Sequence, residues 1–258
     1  MVGKRVVITG ATGIAAASAR RLRQEGAELF VVSRVGTELE DLTAELDDGD
    51  PPIGWAVADL TVEEEAESAF AAALAHLGVI DGLLAVAGAS GRQYGDGPTD
   101  RVTLAAWEKT ISINLTPAFL ATREAIRSMW TSGGGSVVCL GSVLAEHPSP
   151  ERFATHAYAA AKGAIAAFVR STASFYAPRQ IRVNAIAPGL VGTPMAARAA
   201  GDPEIVAYTE KKQPLASGLL DPGSIADTAV FLLSDEARQI TGQVVEVDGG
   251  WGVTEARA

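Results

Sequence analysis

Tyr158 and Lys162 are the two residues whose types and spacing most directly suggest acid–base chemistry. They stand four positions apart in the alanine-rich run HAYAAAKGAIAAFV, residues 156–169, and residues four apart lie on one face of a helix. A phenol ordinarily loses its proton near pH 10. One positive charge at ~4 Å contributes about 4 kcal/mol at an effective dielectric of ~20, which would bring that pKa toward 7. We therefore expect Lys162 to lower the pKa of Tyr158, which then serves as a general acid or base.

The strands and helices that must position this pair can be predicted from the sequence, in which short β-branched runs alternate with longer alanine-rich ones. The apolar runs lack a clean in–out alternation, as is typical of parallel strands that are covered on both faces. We predict strands at residues 5–9, 28–33, 53–57, 82–87, 135–141, 182–186 and 243–247. We predict helices near residues 14–25, 37–46, 62–76, 103–130, 155–177 and 224–234. This alternation indicates a doubly wound α/β fold, with a parallel sheet and helices on both of its faces.

The composition limits the class of protein. The chain has 258 residues, of which 48% are hydrophobic, and it has neither a linker-like segment nor an internal repeat, so we expect one domain over 1–258. A net charge of −10 argues against nucleic acid and anionic membranes as partners. No signal-peptide pattern and no apolar run of ~18 residues is visible. The single cysteine, Cys139, indicates a core residue in a reducing cytoplasm. His147 and His156 lack the partners of a metal site, and we predict none.

A glycine-rich turn follows the first predicted strand, where the sequence reads TGATGIAA over residues 9–16. In a parallel sheet, ligands bind at the carboxyl ends of the strands. A strand, a glycine-rich turn and a helix start form a phosphate cradle, because backbone N–H groups and the helix dipole face the pyrophosphate. We therefore predict a dinucleotide site whose phosphate loop contains Gly10, Thr12, Gly13 and Ile14.

Taken together, these features resemble the short-chain dehydrogenase/reductase family over essentially the whole chain. The resemblance rests on motifs in the family's order, namely the glycine-rich turn, Asp59, Ala87-Gly88, Asn114, Ser142, Tyr158 with Lys162, Pro188-Gly189 and the closing Asp248-Gly249-Gly250. It implies a Rossmann-fold oxidoreductase that uses NAD(P) to interconvert an alcohol and a carbonyl. It also implies a catalytic tetrad of Asn114, Ser142, Tyr158 and Lys162. In that tetrad Ser142 would hydrogen-bond the substrate oxygen, and Asn114 would hold a water that connects Lys162 to solvent.

The expected contacts of cofactor and substrate follow from the same motifs. Beyond the phosphate loop, we expect the cofactor to meet Ser33, Arg34, Asp59, Leu60, Ala87, Gly88, Tyr158, Lys162, Pro188, Gly189, Val191 and Thr193. We expect the substrate to meet Ser142, Leu144, Tyr158 and Met195.

The sequence departs from the family's pattern in four places, one of which is an alanine, Ala15 or Ala16, where the third glycine of the turn is expected. Gly10 and Gly13 are separated by two residues, one fewer than in typical members. Ala85-Val86 replaces a pair of asparagines that braces the central sheet in the family, which puts the local geometry there in question. Ser142 and Tyr158 are 16 positions apart, farther than usual, so we expect residues 146–156 to bulge at the mouth of the cleft. None of these departures removes a member of the tetrad.

The end of the second strand bears on the choice of cofactor. NAD-specific sites usually carry an acid there, which binds the ribose hydroxyls and repels a 2′-phosphate. This strand ends in Ser33-Arg34, and the next acid is Glu38, inside the following helix. A guanidinium can bind a phosphate with two parallel hydrogen bonds. We predict a preference for NADP(H), and NAD(H) is the alternative cofactor. In the competing interpretation, Arg34 merely points into solvent from the end of the strand and binds no phosphate.

The sequence predicts the substrate only by class and the oligomeric state only from helix packing. We expect a mobile helical flap over residues 190–218, which closes on a small carbonyl or alcohol. Its Arg198, Lys211 and Lys212 either attract an acidic substrate or are simply solvated. The small residues of helix 155–177 permit close packing on a partner subunit, and we expect a tetramer in preference to a dimer. A non-catalytic dinucleotide sensor on the same fold is the alternative function, although such a sensor has no need for Tyr158 and Lys162 together.

Overall fold

The computed structural model describes residues 1–46 and 52–255, and these form a single seven-stranded sheet with helices on both sides. The strands are β1 (Arg5–Thr9), β2 (Glu28–Ser33), β3 (Gly54–Val57), β4 (Gly82–Ala85), β5 (Gly135–Leu140), β6 (Ile181–Pro188) and β7 (Val244–Val247). They are ordered β3-β2-β1-β4-β5-β6-β7, and every neighbouring pair is parallel. The predicted doubly wound α/β fold is confirmed.

Eight α-helices lie within the described residues. They are α1 (Ile14–Gln24), α2 (Gly36–Leu46), α3 (Glu63–Leu77), α4 (Leu104–Ser132), α5 (His156–Tyr176), α6 (Ala197–Ala200), α7 (Pro203–Lys212) and α8 (Pro222–Leu233). The six predicted helices correspond to α1 to α5 and α8, with ends that differ by a few residues. Both α6 and α7 lie inside the segment predicted as a helical flap. Within the part of the chain that the structure describes, no helix is both long enough and apolar enough to cross a bilayer.

Two apolar cores fill the space between the sheet and its two helix layers. Successive residues of a strand point to opposite faces, so Val7 packs in the core under α3, α4 and α5, whereas Val6 and Ile8 pack in the core under α1, α2 and α8. All three valine and isoleucine side chains are fully buried. Burial on both faces explains why the strands of this sequence are apolar throughout instead of alternating.

The strand order reverses between β1 and β4. From β1 the chain proceeds outward to β2 and β3, and it then returns to the other side of β1 to build β4 to β7. In open α/β sheets a crevice forms at this point, outside the carboxyl ends of the strands. The fold therefore places the residues that follow β1, β2, β4, β5 and β6 around one opening.

Candidate active site

One cleft of about 430 Å³ occupies the carboxyl edge of the sheet. Every residue that the sequence analysis assigned to the site lines it: Gly10, Thr12, Gly13, Ile14, Ser33, Arg34, Asp59, Leu60, Ala87, Gly88, Asn114, Ser142, Leu144, Tyr158, Lys162, Pro188, Gly189, Val191, Thr193 and Met195. The structure thus brings together residues from the loops that follow β1 to β6 and from helices α4 and α5.

The glycine-rich turn after β1 has the geometry of an anion cradle. Gly10 and Gly13 have φ angles of 96° and 55°, which side chains rarely adopt. A Cβ at Gly13 would lie 2.9 Å from Cγ2 of Thr193. Helix α1 starts at this glycine with neither a side-chain cap nor an acid in its first turn. The N–H of Ala15 is bonded to the carbonyl of Thr12 at 3.1 Å, whereas those of Gly13 and Ile14 have no partner among the described residues and can bind an anion. The turn fits a dinucleotide pyrophosphate despite its short glycine spacing.

Thr9 supplies the brace that the missing asparagines would otherwise provide. Its buried hydroxyl accepts hydrogen bonds from the backbone N–H groups of Val86 and Ala87, each at 3.0 Å. This joins the end of β1 to the chain beyond β4 at the reversal point. The local geometry that Ala85-Val86 put in question is therefore held by a side chain of the neighbouring strand.

Arg34, which follows β2, and Asp59, which follows β3, lie beside each other in the cleft. The guanidinium Nη1 is 4.0 Å from Oδ2 of the carboxylate. Burial tends to raise the pKa of Asp59, but hydrogen bonds from the N–H and hydroxyl of Thr61, together with the charges of Arg34 and Lys109, hold it below its usual range. Asp59 is thus an anion that faces Arg34. No pattern in the sequence indicated that Asp59 and Arg34, which follow different strands, lie next to each other.

Asn114 holds the turn that follows β4. Its Nδ2 donates to the carbonyls of Ala89 and Thr110 at 3.0 and 2.9 Å, and its Oδ1 accepts the N–H of Ala89 at 3.2 Å. A Cβ at Gly88 would lie 2.8 Å from that Oδ1, so the close approach requires glycine at this position. The side-chain amide of Asn114 is thus hydrogen-bonded to protein groups, and the role of Asn114 in holding a water stays a prediction.

Tyr158 and Lys162 both come from the first two turns of α5 and point toward the end of β5. The Nζ of Lys162 donates to the carbonyl of Leu140 at 2.8 Å and lies 5.6 Å from the centre of the Tyr158 ring. Burial lowers the pKa of Lys162 to about 8, with a small opposing effect of Cys139. Burial raises the pKa of Tyr158, opposed by a hydrogen bond with Ser142.

The expectation that Lys162 lowers the pKa of Tyr158 is therefore wrong for this geometry. The ammonium group is bound to a backbone carbonyl and not directed at the phenol oxygen, and the loss of solvent around the ring has the larger effect. A pKa of about 8 makes Lys162 itself a group that exchanges protons close to neutral pH.

Ser142 begins the turn that follows β5, and its side chain is almost fully buried. Its Oγ accepts the N–H of Leu144 at 3.2 Å and also interacts with the phenol of Tyr158. A hydroxyl that already accepts one hydrogen bond can still donate its proton. Ser142 and Tyr158 together can therefore present two O–H donors to a single substrate oxygen.

Asp96, which the sequence analysis did not single out, holds the start of α5. The N-cap residue Thr155 makes no side-chain cap. Instead, the buried carboxylate of Asp96 accepts the N–H groups of Ala157 and Tyr158, each at 3.0 Å. The acid lies 62 positions before Tyr158, and no local pattern links the two. A carboxylate at a helix N-terminus is favoured by the helix dipole as well as by the hydrogen bonds.

The predicted bulge at residues 146–156 packs against the flap. The hydroxyl of Ser149 donates to that of Tyr208 at 2.9 Å, and Arg152 pairs with Glu204 at 2.8 Å. The ring of Trp251 stacks edge-on against both Phe153 and Tyr208, with ring centres 5.8 and 5.7 Å apart. Phe153 and Trp251 line the cleft, and the sequence alone did not mark either of them.

The two histidines of the bulge have structural partners. His147 Nε2 lies 2.8 Å from Oε1 of Glu246, and His156 Nδ1 accepts the N–H of Thr99 at 3.1 Å. Neither lines the cleft. Among the described residues, no group of three or more histidines, cysteines or acids is arranged to hold a metal ion.

Gln213 fastens the two ends of the flap to each other. Its side chain is fully buried, and its Oε1 accepts the N–H of Leu190 at 2.5 Å. Its Nε2 donates to the carbonyls of Leu190 at 3.2 Å and Gly218 at 2.8 Å. A Cβ at Gly189 would lie 2.1 Å from the same Oε1, so the glycine of the Pro188-Gly189 turn makes room for this amide.

Comparison with known proteins gives matches over nearly the whole chain. The family model described as enoyl-(acyl carrier protein) reductase matches residues 9–252. Cis-4-hydroxycyclohexanecarboxylate dehydrogenase of Sinomonas cyclohexanicum is 35% identical over 246 residues, which are 95% of each chain. The 2,5-dichloro-2,5-cyclohexadiene-1,4-diol dehydrogenase of Sphingobium indicum is 31% identical over 254 residues, which are 98% of each chain. The crystal structure of levodione reductase superposes with a TM-score of 0.91 at 32% identity, and the match covers 99% of this chain and 100% of that one.

The cleft and these matches agree on one class, the dinucleotide-dependent oxidoreductases built on a parallel sheet. Within that class the chain belongs to the short-chain dehydrogenase/reductase family. It is an oxidoreductase that acts on CH–OH or C=O groups with NAD(P).

Proposed function

We propose that the protein interconverts a secondary alcohol and a ketone with NADP(H), and that Tyr158 is its general acid and base. The proposal rests on one observation: Ser142, Tyr158 and Lys162 line the same cleft as the glycine-rich turn. Hydroxyls and an ammonium group at the nicotinamide end of a dinucleotide site have the chemistry that carbonyl reduction requires.

The glycine-rich turn with Gly10 and Gly13 would hold the pyrophosphate of the cofactor, which would supply the hydride for reduction of the carbonyl carbon and take it up again in oxidation of the alcohol. Ser142 donates a hydrogen bond to the substrate oxygen and orients it. Tyr158 gives its phenolic proton to that oxygen during reduction and takes it back during oxidation. The raised pKa of Tyr158 keeps the phenol protonated, which suits the general acid. Lys162, with a pKa of about 8, replaces the proton that Tyr158 releases, and we assign to Asn114 the support of that relay.

We further propose a ring alcohol or ring ketone as the substrate. Two of the relatives, the cyclohexanecarboxylate dehydrogenase and the cyclohexadienediol dehydrogenase, are named for substrates that carry a hydroxyl on a six-membered carbon ring. The lining of the cleft by Phe153, Trp251, Leu144 and Met195 gives apolar and aromatic surfaces against which such a ring can pack.

The preference for NADP(H) is proposed from the end of β2. Arg34 and Ser33 both line the cleft, and the side chain of Arg34 is 60% exposed, so it can turn toward a 2′-phosphate without breaking a buried contact. Its 4.0 Å approach to Asp59 is too long for a hydrogen bond. Because the phosphate would offer charge-assisted hydrogen bonds in place of this weak pair, NADP(H) should be favoured.

A homo-oligomer, a tetramer in preference to a dimer, is proposed from the exposed aromatic side chains of α4 and α5. Phe119 and Trp130 on α4 are 44% and 43% exposed, and Phe175 on α5 is 68% exposed. Several large exposed rings on two neighbouring helices favour a surface that another subunit covers. Light scattering at micromolar concentration is expected to give a multiple of the 26.6 kDa chain mass, and a monomer would contradict the proposal.

The enzymatic proposal is tested by a screen of ring ketones with NADPH and of ring alcohols with NADP⁺, followed at the absorbance of the reduced nicotinamide. We expect turnover of at least one ring ketone. Cofactor binding without turnover of any carbonyl or alcohol would instead support the dinucleotide sensor, which the names of the relatives do not favour.

A further inference from the structure

Two arginines line the substrate end of the cleft, Arg92 from the short 3-10 helix Gly91–Tyr94 and Arg198 from α6. Among the described residues, neither guanidinium lies within 4.0 Å of a carboxylate oxygen, whereas the neighbouring Arg152 pairs with Glu204 at 2.8 Å. Two positive charges without a carboxylate of the described residues within ion-pair distance therefore line the substrate end of the cleft. They indicate a binding partner that carries a negative charge.

The electrostatics around Arg92 support this interpretation. Burial lowers the pKa of Arg92, and the positive charge of Arg198 lowers it further, with Asp96 as the opposing influence. Arg198 is therefore close enough to repel Arg92. Asp96 carries one negative charge against two positive ones, so the pair of arginines keeps a net positive charge. An anion placed between the two guanidinium groups would relieve the repulsion.

Arg92 has donors to spare for such an anion. Its Nη2 donates to the carbonyl of Arg152 at 3.0 Å, which fixes the guanidinium against the bulge. A guanidinium carries five N–H donors, so most of them remain for a ligand. A planar carboxylate matches this geometry with two parallel hydrogen bonds.

The surroundings of the two arginines define the rest of the ligand. Arg92 is bonded to the carbonyl that precedes Phe153, and Phe153 packs on Trp251 with ring centres 5.8 Å apart. These two rings and Met195 line the cleft together with Ser142 and Tyr158. A ligand that fills this space needs an apolar body between its reacting carbon and its charge.

We propose that the substrate is a carboxylic acid, whose carboxylate binds between Arg92 and Arg198 while its ring packs on the aromatic wall. This inference rests on the proposed carbonyl–alcohol chemistry, and it adds the group by which the enzyme selects its substrate. The carboxylate takes no part in the bond changes, so the two arginines contribute to specificity.

The test compares 4-oxocyclohexanecarboxylate with its methyl ester, which has the same reacting ketone without the charge. Wild-type protein and the variants R92Q and R198Q are assayed with NADPH, and R101Q serves as the matched control because Arg101 is exposed and does not line the cleft. We expect the wild type to prefer the acid by about tenfold in kcat/KM. Each arginine variant should lose about tenfold on the acid and less than about twofold on the ester, whereas R101Q should retain the preference.

A binding measurement separates failure of the inference from failure of the proposed chemistry. Cyclohexanecarboxylate is titrated into each protein by calorimetry, at low and at high salt. We expect binding that weakens with salt and that R92Q and R198Q reduce about tenfold. If no carbonyl compound is turned over but this binding pattern is observed, the proposed function fails and the anion site stands.

Three outcomes would overturn the inference. The first is a wild type that reduces the ester as well as the acid. The second is an acid preference that survives in R92Q and R198Q. The third is reduction of acetoacetyl-CoA that depends on both arginines without any preference for the small acid, because the phosphates of a thioester carrier would then be the anion that they bind.

Discussion

The carboxylate of Asp96 is hydrogen-bonded to the backbone of Tyr158: Oδ2 accepts the N–H of this residue at 3.0 Å, while Oδ1 accepts that of Ala157. The position of the proposed general acid thus depends on a buried acid from a different loop. Asp96 acts on the reaction only through the helix that it caps, so it is a positioning residue.

Replacement of Asp96 by asparagine should therefore lower both stability and turnover. An amide offers one acceptor oxygen in place of two and has no charge to interact with the helix dipole, which should cost about 1–2 kcal/mol in the free energy of unfolding. We expect kcat to fall while the KM for NADPH stays within about twofold, because the phosphate cradle is untouched. Urea unfolding and steady-state kinetics measure the two effects. D100N is the control, since Asp100 is exposed and does not line the cleft. An unchanged kcat in D96N would contradict the positioning role.

Tyr158→Phe should abolish most of the activity without loss of cofactor binding. The substitution removes the phenolic proton donor and keeps the ring, so turnover should fall at least ~10²-fold, the scale of a lost general acid. The Kd for NADPH, measured by fluorescence titration, should change little. Turnover at the wild-type rate would show that another group supplies the proton. Y176F provides a comparison, because Tyr176 ends α5 and lies outside the cleft.

Ser33→Asp combined with Arg34→Ala should reverse the cofactor preference. The double variant places a negative charge where the 2′-phosphate is expected and removes the guanidinium that attracts it. Calorimetric titration should show wild-type protein binding NADPH more tightly than NADH, and the variant binding NADH more tightly. Equal affinity of the wild type for both cofactors would refute the role assigned to Arg34.

Lys162 makes the stability of the cofactor-free protein depend on pH. Its pKa falls from the ordinary lysine value of 10.5 to about 8 on folding, so between those values the unfolded chain binds more protons than the folded one. The free energy of unfolding then rises with pH over this range. Below pH 8 the folded protein must bury the ammonium, at a cost of order 3 kcal/mol.

Comparison with Lys162→Met isolates this effect, because the other titrating groups are shared. Relative to the variant, wild-type protein should gain up to about 3 kcal/mol between pH 8 and pH 10.5. Denaturant unfolding at several pH values measures the difference. A constant difference would mean that the folded pKa of Lys162 is close to that of the unfolded chain.

How much of the fold and of the site the sequence predicts depends on how far apart along the chain the interacting residues lie. The strands and most helices are specified by local apolar patterns, and the glycine-rich turn and the Tyr158/Lys162 pair lie within short segments, so the fold and the lining of the cleft were predictable. Thr9 and Asp96 act on residues 77 and 62 positions away, and no pattern in one sequence connects them. The pKa of Tyr158 was predicted in the wrong direction, because it depends on burial by residues from several loops.

The buried amide of Gln213 gives the flap a defined beginning and end. Since this one side chain joins Leu190 to Gly218, the segment between Thr193 and Gln213 can change in length and composition while Leu190, Gln213 and Gly218 stay bonded to one another. Natural variation or deliberate grafting can therefore replace this segment as a unit. The enzyme can acquire a different substrate range in this way without disturbing the residues that carry out the proton and hydride transfers.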